Sequence, residues 1–575
     1  MTNLMDGETL AALAAGGLAL ALLAPKLRDR LQLSRAKYRS LAGHSRMSRR
    51  VAGLVPRYVY GDDQFFRADE ASEAVGVRRR AGFEALAETL RSRNGRTLQV
   101  TSEATRHISD LQFTESYRVP FQFSPRVRAA LPAGAFVASS EGVQVTDLDG
   151  TARYDLSGSY GVNLLGYDFY KGCMERGTRR VADLGPVLGA YPNLVADNAR
   201  RLARISGKPE VSFHMSGTEA VMQAVRLARY HTGRSHLVRF CGAYNGWWGD
   251  VQPGVGNPVP AHDTYTLADM SERTLAVLRR RTDIACVLVN PIQAMHPNQG
   301  APADSTLVAS RPERGVSREA YAAWLKALRQ VCTERGIVLI LDEVFVGFRL
   351  AAGGAQAYFG IEADLVTYGK TVGGGFPIGV VCGDHRLMKR FRDDRPADIC
   401  FARGTFNAHP YVMGAMNEFL LHLDSPEMQQ VYRDLDETWD RRASDLNRRL
   451  AERKLPVRIG HLSSIWTVCY PTPSRYHWMF QYYLKAHGIA LSWVGTGRLI
   501  FGLNFTEEQF QAVTDRFVAA AEAMQRDGWW EPGALATDRA IKRRILRELA
   551  LHRLGFPGRG RKERLAGARP LDAAL

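Results

Sequence analysis

The sequence has few cysteines, and none of them is paired by spacing. Seven are scattered through 575 residues (Cys173, Cys241, Cys286, Cys332, Cys382, Cys400 and Cys469), with no C-x-x-C or C-x-x-x-C pair. This argues against a disulfide framework or a cysteine-based zinc centre and fits a reducing compartment; no metal is expected. Long apolar runs are also scarce. Thr9 to Ala24 (TLAALAAGGLALALLA) is a single stretch of small and aliphatic residues. It is short of the roughly 20 residues that cross a bilayer. Asp6 and Glu8 precede it and Lys26, Arg28 and Arg30 follow, so it lacks the basic start of a secretory signal. The charge order keeps the remainder in the cytoplasm. An anchor on the inner face of the membrane through residues 9–24, a partner-docking helix and a buried core helix all fit it.

The body of the chain lacks a charge surplus as well. The net charge is +17, but residues 1–60 carry ten Lys/Arg against three acids, and residues 531–575 carry eleven against five. Thirteen of the seventeen positive charges therefore sit at the two ends. Basic ends beside apolar segments suit an anionic membrane surface or plain solvation, and they argue against nucleic-acid binding.

The remaining sequence is that of a large globular protein. Residues 26–110 form a basic, mostly helical extension, with Phe83, Leu86 and Leu90 at helical spacing. After a strand–turn signal at Gly142–Gly150, helices alternate with β-branched runs at Val211–Met215, His236–Phe240, Ile284–Val289, Ile337–Leu341, Leu365–Thr367 and Ile378–Val381. That alternation predicts an α/β fold with a mostly parallel sheet covered on both faces. A smaller α+β unit follows. The expected division is an apolar segment at 1–25, the extension at 26–110, the start of a small domain at 111–165, a large domain at 166–410, the rest of the small domain at 411–530 and a basic tail at 531–575. In the tail, Ile541, Ile545, Leu549 and His552 share one helical face, which suits a membrane or a protein surface.

Three clusters fall where strands run into helices, the ligand-binding edge of open α/β sheets. Ser216-Gly217-Thr218-Glu219-Ala220 opens a helix after a strand, as a phosphate cradle does and as a plain N-cap does. Asp342 ends the apolar strand Leu339-Ile-Leu-Asp342, where a carboxylate needs a cationic or hydrogen-bonding partner such as a pyridinium N–H. An ion pair or a metal ligand is the plainer reading. Lys370 leaves the strand Asp364–Gly369 and enters Thr-Val-Gly-Gly-Gly375. A lysine that forms a Schiff base must lose its proton, which desolvation favours.

The stretch DEVFVGFRLAAGGAQAYFGIEADLVTYGKTVGGGFPIGVVCG at 342–383 resembles the class III aminotransferases, and among them the glutamate-1-semialdehyde aminomutases most. MSGTEAVMQAVRLAR at 215–229, GAYNGWWGD at 242–250, RGTFNAHP at 403–410 and GSYGVNLLG at 158–166 extend the resemblance over roughly residues 120–525. It implies fold type I of the pyridoxal 5′-phosphate (PLP) enzymes, a large domain with a mostly parallel seven-stranded sheet, and a homodimer. It assigns Lys370 as the Schiff-base lysine and proton shuttle, and Asp342 as the partner of the pyridine nitrogen. Val344 and Tyr244 would cover the two ring faces, and Ser216, Gly217 and Thr218 would hold the phosphate. Thr405 would reach that phosphate from the neighbouring subunit. The sequence departs from the family at Asn245, where histidine is usual, and at Asn290, where glutamate precedes proline. Tyr160 stands where the aminomutases carry tryptophan in the substrate pocket.

By the same resemblance, Arg498 matches the arginine that grips a substrate carboxylate in transaminases, while Arg126 and Arg128 offer a second, ambiguous candidate. The expected activity is therefore ping-pong transfer from an amino acid donor to a carbonyl acceptor. The basic and apolar ends add a lipophilic acceptor, with a membrane surface or carrier protein as partner. Intramolecular transfer of the aminomutase kind is the alternative, and an inactive scaffold is the non-enzymatic one.

Overall fold

The computed structural model describes residues 21–37, 44–291, 317–491 and 498–555, apart from 22, 253, 260 and 261. Strands β1 (Val137–Glu141), β2 (Gln144–Asp147) and β3 (Ala152–Asp155) form an antiparallel meander. Its β2–β3 turn is closed by Asp147, whose Oδ1 accepts from the amides of Asp149 and Thr151 at 3.0 and 2.9 Å.

Seven strands then make the central sheet: β4 (Glu210–His214), β5 (His236–Phe240), β6 (Thr264–Leu267), β7 (Ile284–Val289), β8 (Val338–Asp342), β9 (Leu365–Gly369) and β10 (Gly379–Gly383). Their order across the sheet is β4-β10-β9-β8-β7-β5-β6, and only β10 runs antiparallel to its neighbours. The expected mostly parallel sheet is present, with one strand, β6, that the sequence pattern missed. Every residue of β7, β8, β9 and β10 is buried, as strands covered on both faces require. The helices Gly217–Thr232, Glu272–Arg280 and Arg318–Arg335 lie between successive strands and supply that cover. The C-terminal ends of β4, β5, β8 and β9 consequently gather at one edge.

A hairpin of β11 (Phe391–Arg392) and β12 (Arg395–Ile399) leads to the helices Pro410–Leu423, Pro426–Arg433 and Leu435–Glu452. Strands β13 (Arg458–Leu462) and β14 (Ile465–Cys469) pair with each other. Further on, β15 (Ile489–Ala490) adds to β3, and β16 (Arg498–Ile500) adds to β14. The helix Glu507–Arg526 begins at Thr506, where a capping box with Gln509 satisfies two backbone amides.

The extension does not stand apart from this second layer. Tyr58, Phe65, Phe66 and Phe83 are buried in the same aromatic core as Trp439, Trp466, Trp478 and Trp529. Arg79, fully buried, donates two hydrogen bonds of 2.8 Å to the Asp69 carboxylate and one of 2.9 Å to the Gly528 carbonyl. The tail helix Asp538–Arg553 turns its apolar face inward and caps this core. The buried Glu548 accepts from Tyr60 Oη at 2.5 Å, and His552 stacks on Tyr58 at 4.1 Å between ring centres. Of the two surfaces that face suited, a protein surface is the one it meets. Among the described residues no helix is long and apolar enough to cross a membrane. Most of the run 9–24 lies outside the described residues.

Candidate active site

The C-terminal edge of the central sheet brings Ser216, Tyr244, Asn245, Asp342 and Lys370 onto four neighbouring chain segments. Asp342 closes β8 and is 3% exposed. Its Oδ2 accepts from Asn245 Nδ2 at 2.7 Å; its Oδ1 accepts from the Val344 amide at 3.2 Å and from Thr367 Oγ1 at 3.4 Å. Burial pushes this carboxyl above the usual range, and those hydrogen bonds and the Lys370 ammonium pull against it. A buried carboxylate near Lys370 suits a cationic ring N–H.

Lys370 follows β9 with a left-handed backbone, φ 51°. Its Nζ lies 5.5 Å from the centre of the Phe345 ring. Burial lowers its pKa, Arg349 and Arg498 push the same way, and Asp342 opposes them. The amine is thereby biased toward the neutral, nucleophilic form.

The glycines around this edge let neighbouring segments pack closely. A Cβ on Gly217 would meet Val344 Cγ1 at 2.6 Å, and one on Gly369 would meet the same atom at 3.1 Å. Val344 therefore seats between the phosphate-cup segment and the lysine strand. Gly246, at φ 97°, lets the loop after β5 press on Thr218, whose Oγ1 lies 2.7 Å from the missing Cβ. Ser216 is the N-cap of the helix Gly217–Thr232, its Oγ accepting from the Glu219 amide at 3.3 Å. The Gly217 and Thr218 amides belong to the first turn, which has no intrahelical acceptors, so they point at whatever anion sits there. Of the two readings of the motif, the N-cap is the one the hydrogen bonds show, with Ser216 as the cap.

Tyr244 is more than half exposed above this floor, and burial with the nearby Asp342 raises its pKa. Its carbonyl accepts from Asn290 Nδ2 at 3.2 Å, so the two departures from the family pattern, Asn245 and Asn290, brace one loop. Asn245 is 1% exposed, and its Oδ1 is a buried acceptor without a hydrogen-bond partner.

Arg498 opens β16, opposite Thr467. Its Nε is buried without a hydrogen-bond partner, and burial alone lowers its pKa. Among the described residues no acid pairs with it. Arg126 is otherwise engaged: it pairs with Asp62 and lies over Phe65 at 5.2 Å. Arg128 is exposed beside Ser116. Tyr160 stands at φ 57° beside Gly161, whose missing Cβ would lie 2.5 Å from Phe345. Thr405 is exposed before the helix Pro410–Leu423, and among the described residues no hydrogen bond joins it to this group.

Two residues of the site went unread in the sequence. Arg349 is 1% exposed and donates to the carbonyls of Phe501 (2.6 Å), Gly161 and Asn163 (both 3.4 Å) and to Ser464 Oγ (3.1 Å). It ties the Tyr160 turn to the β13–β14 turn and the end of β16, and burial brings its pKa down to about 10. Glu343, fully buried, accepts from the Ala355 and Gln356 amides at 2.6 and 3.2 Å, and burial raises its carboxyl to about 7. An arginine inside the apolar run Phe345-Val-Gly-Phe-Arg349-Leu was the available signal for the first.

The family model "Aminotransferase class-III" matches residues 127–521. The chain belongs to the class III aminotransferases. Among curated relatives, a glutamate-1-semialdehyde 2,1-aminomutase from Hyperthermus butylicus is 33% identical over 348 residues, covering 59% of this chain and 78% of the relative. A solved transaminase with PLP bound is 26% identical and superimposes with a TM-score of 0.61, covering 75% of this chain and 97% of that one. A glutamate-1-semialdehyde aminomutase structure from Pseudomonas aeruginosa PAO1, 19% identical, shares the fold at a TM-score of 0.62, covering 78% of this chain and 99% of that one. The fold is therefore that of the PLP transferases, and PLP is the cofactor of this class III enzyme.

Proposed function

We propose that this enzyme transfers an amino group between two molecules, from an amino acid donor to a carbonyl acceptor, with Lys370 as its catalytic residue. Bound PLP supplies a protonated ring that withdraws electrons from the substrate Cα. Asp342 Oδ2, fixed by Asn245, would accept the ring N–H and keep that nitrogen protonated. Val344 and Tyr244 would lie on the ring's two faces, and Ser216, Gly217 and Thr218 would hold its phosphate. Lys370 Nζ would hold the cofactor at rest and take the proton from the substrate Cα during transfer. Thr405 would complete the phosphate site from a second copy of the chain, which makes a homodimer the working form.

The observation that carries intermolecular transfer is Arg498. A buried guanidinium without an acid among the described residues, close enough to Lys370 to depress its pKa, is a clamp for a donor carboxylate. Arg498→Gln should raise KM for the amino acid donor by about tenfold or more, with a smaller change in kcat. An unchanged KM would remove Arg498 from the substrate site. Intramolecular transfer keeps the support of the aminomutase relatives. It requires that the protein act on glutamate 1-semialdehyde with no donor added.

Tyr160, Asn245 and the Gly161–Phe345 contact would shape the acceptor side. A lipophilic acceptor fits the ends of the chain: Leu23, Leu27 and Leu31 are exposed one turn apart on the helix spanning 23–35, among basic residues. That stripe supports attachment to the inner face of an anionic membrane. Cosedimentation with anionic vesicles, lost in a variant with Leu23, Leu27 and Leu31 replaced by Gln, tests the attachment. Rates with glutamate or alanine across short and long aldehydes test the acceptor.

A further inference from the structure

A cavity of about 560 Å³ lies well away from Lys370, in the small domain. Its walls are the helices Glu73–Arg93 and Glu507–Arg526, the start of β3, and the segment 485–488 that leads into β15. Six cationic or basic side chains line it: Arg93, Arg153, Lys485, His487, Arg516 and Arg526. The one lining acid, Asp527, is already engaged, accepting from Tyr483 Oη at 2.5 Å and packing against Gly82.

These cations are incompletely satisfied. Arg153 is 8% exposed; it donates to Asp147 at 2.6 Å and to Asn94, and its Nε is a buried donor with no partner. Arg93 spends one N–H on the Ala486 carbonyl at 3.1 Å, and Arg516 spends one on Gly488 at 3.4 Å. The Lys485 ammonium makes no hydrogen bond or ion pair among the described residues. Burial, with Arg118 and Arg153 nearby, brings its pKa down to about 7 against the weaker pull of Asp147. Gathering like charges around a hollow is costly unless an anion fills it. The volume is that of a metabolite site.

We propose that this cavity binds a phosphate-bearing small molecule. One guanidinium fork satisfies a planar carboxylate, whereas here donors approach from four separate walls, as the oxygens of a tetrahedral dianion require. The cavity lies partly outside the matched family region. Its walls at Gly82–Asn94 and at Arg526–Asp527 fall outside the residues that the family model matches, and the cofactor's phosphate segment at Ser216–Thr218 belongs to the other layer.

The test is calorimetric titration of the full-length, PLP-loaded protein with inorganic pyrophosphate, with the cofactor's visible absorbance followed in parallel. Saturable binding is expected with that absorbance intact. It should weaken by about tenfold or more in Lys485→Gln and in Arg516→Gln, and recover in part in Lys485→Arg. Thermal unfolding of each variant separates lost binding from lost folding. Equal affinity in the wild type and both glutamine variants would overturn the proposal, as would no binding at millimolar pyrophosphate. Binding that strips the cofactor absorbance would assign the anion to Ser216–Thr218 instead. Binding of citrate without binding of pyrophosphate would also contradict it.

Discussion

Asn245 donates a 2.7 Å hydrogen bond to Asp342 and leaves its own Oδ1 buried and unpartnered. The same amide thus fixes the carboxylate proposed to accept the cofactor's ring N–H. Hydrogen bonds to charged groups contribute about 1.5–3 kcal/mol. Asn245→Ala should therefore weaken PLP retention by about tenfold or more on dialysis. Asn245→His, which restores the residue usual in the family, should retain PLP far better than the alanine variant.

Lys370 gives the pH dependence. If its neutral amine captures PLP as proposed, the capture rate of the apoprotein should rise with pH and level off above the pKa of the folded protein. Burial, Arg349 and Arg498 lower that pKa, so the midpoint should fall below the ordinary 10.5. Removing a positive neighbour favours the protonated amine, so Arg498→Gln should move the midpoint upward. A midpoint unmoved by that change would place the two groups too far apart to interact. Stopped-flow absorbance against pH measures both.

The tail helix should prove structural. Glu548 accepts from Tyr60, Tyr58, Arg475 and Arg544, and Arg475 is 1% exposed. Removing one partner of a buried ion pair costs about 3–5 kcal/mol, because the remaining charge stays buried. Glu548→Ala should lower the urea midpoint of the small domain accordingly, and Glu548→Gln, which keeps the shape, by less. An unchanged midpoint would show that the tail helix is not part of the folded unit.

Gly246 tests the packing of the Tyr244 loop. Its φ of 97° and the 2.7 Å approach to Thr218 leave no space for a methyl group. Gly246→Ala should cost about 1–3 kcal/mol in backbone strain and displace Tyr244 from the ring face. Reduced cofactor affinity together with a fall in the unfolding midpoint of matching size is the expected signature.

The sheet edge was legible where polar residues sat at the ends of apolar strands. Asp342 ends a buried strand and Lys370 follows one, whereas Ser216 follows the exposed Met215 and was read from the Gly-Thr that opens its helix. Strand β6 was not legible, because Thr264–Leu267 is a four-residue edge strand with little pattern to read. The role of Arg349 was hidden because its partners, Gly161, Ser464 and Phe501, come from three distant stretches of chain. The extension read as helical, but its burial against Trp478 and Trp529 depends on contacts across some four hundred residues. The cationic cavity has the same origin, since no single segment supplies more than two of its charges.

The most direct measurement of the proposed activity is a half-reaction. The PLP-loaded protein is mixed with glutamate or alanine alone, with no carbonyl acceptor, while visible cofactor absorbance and 2-oxo acid are followed together. The expected result is loss of that absorbance with an equal amount of 2-oxo acid, abolished in Lys370→Ala. No conversion with any amino acid donor, alongside turnover of glutamate 1-semialdehyde without one, would contradict intermolecular transfer.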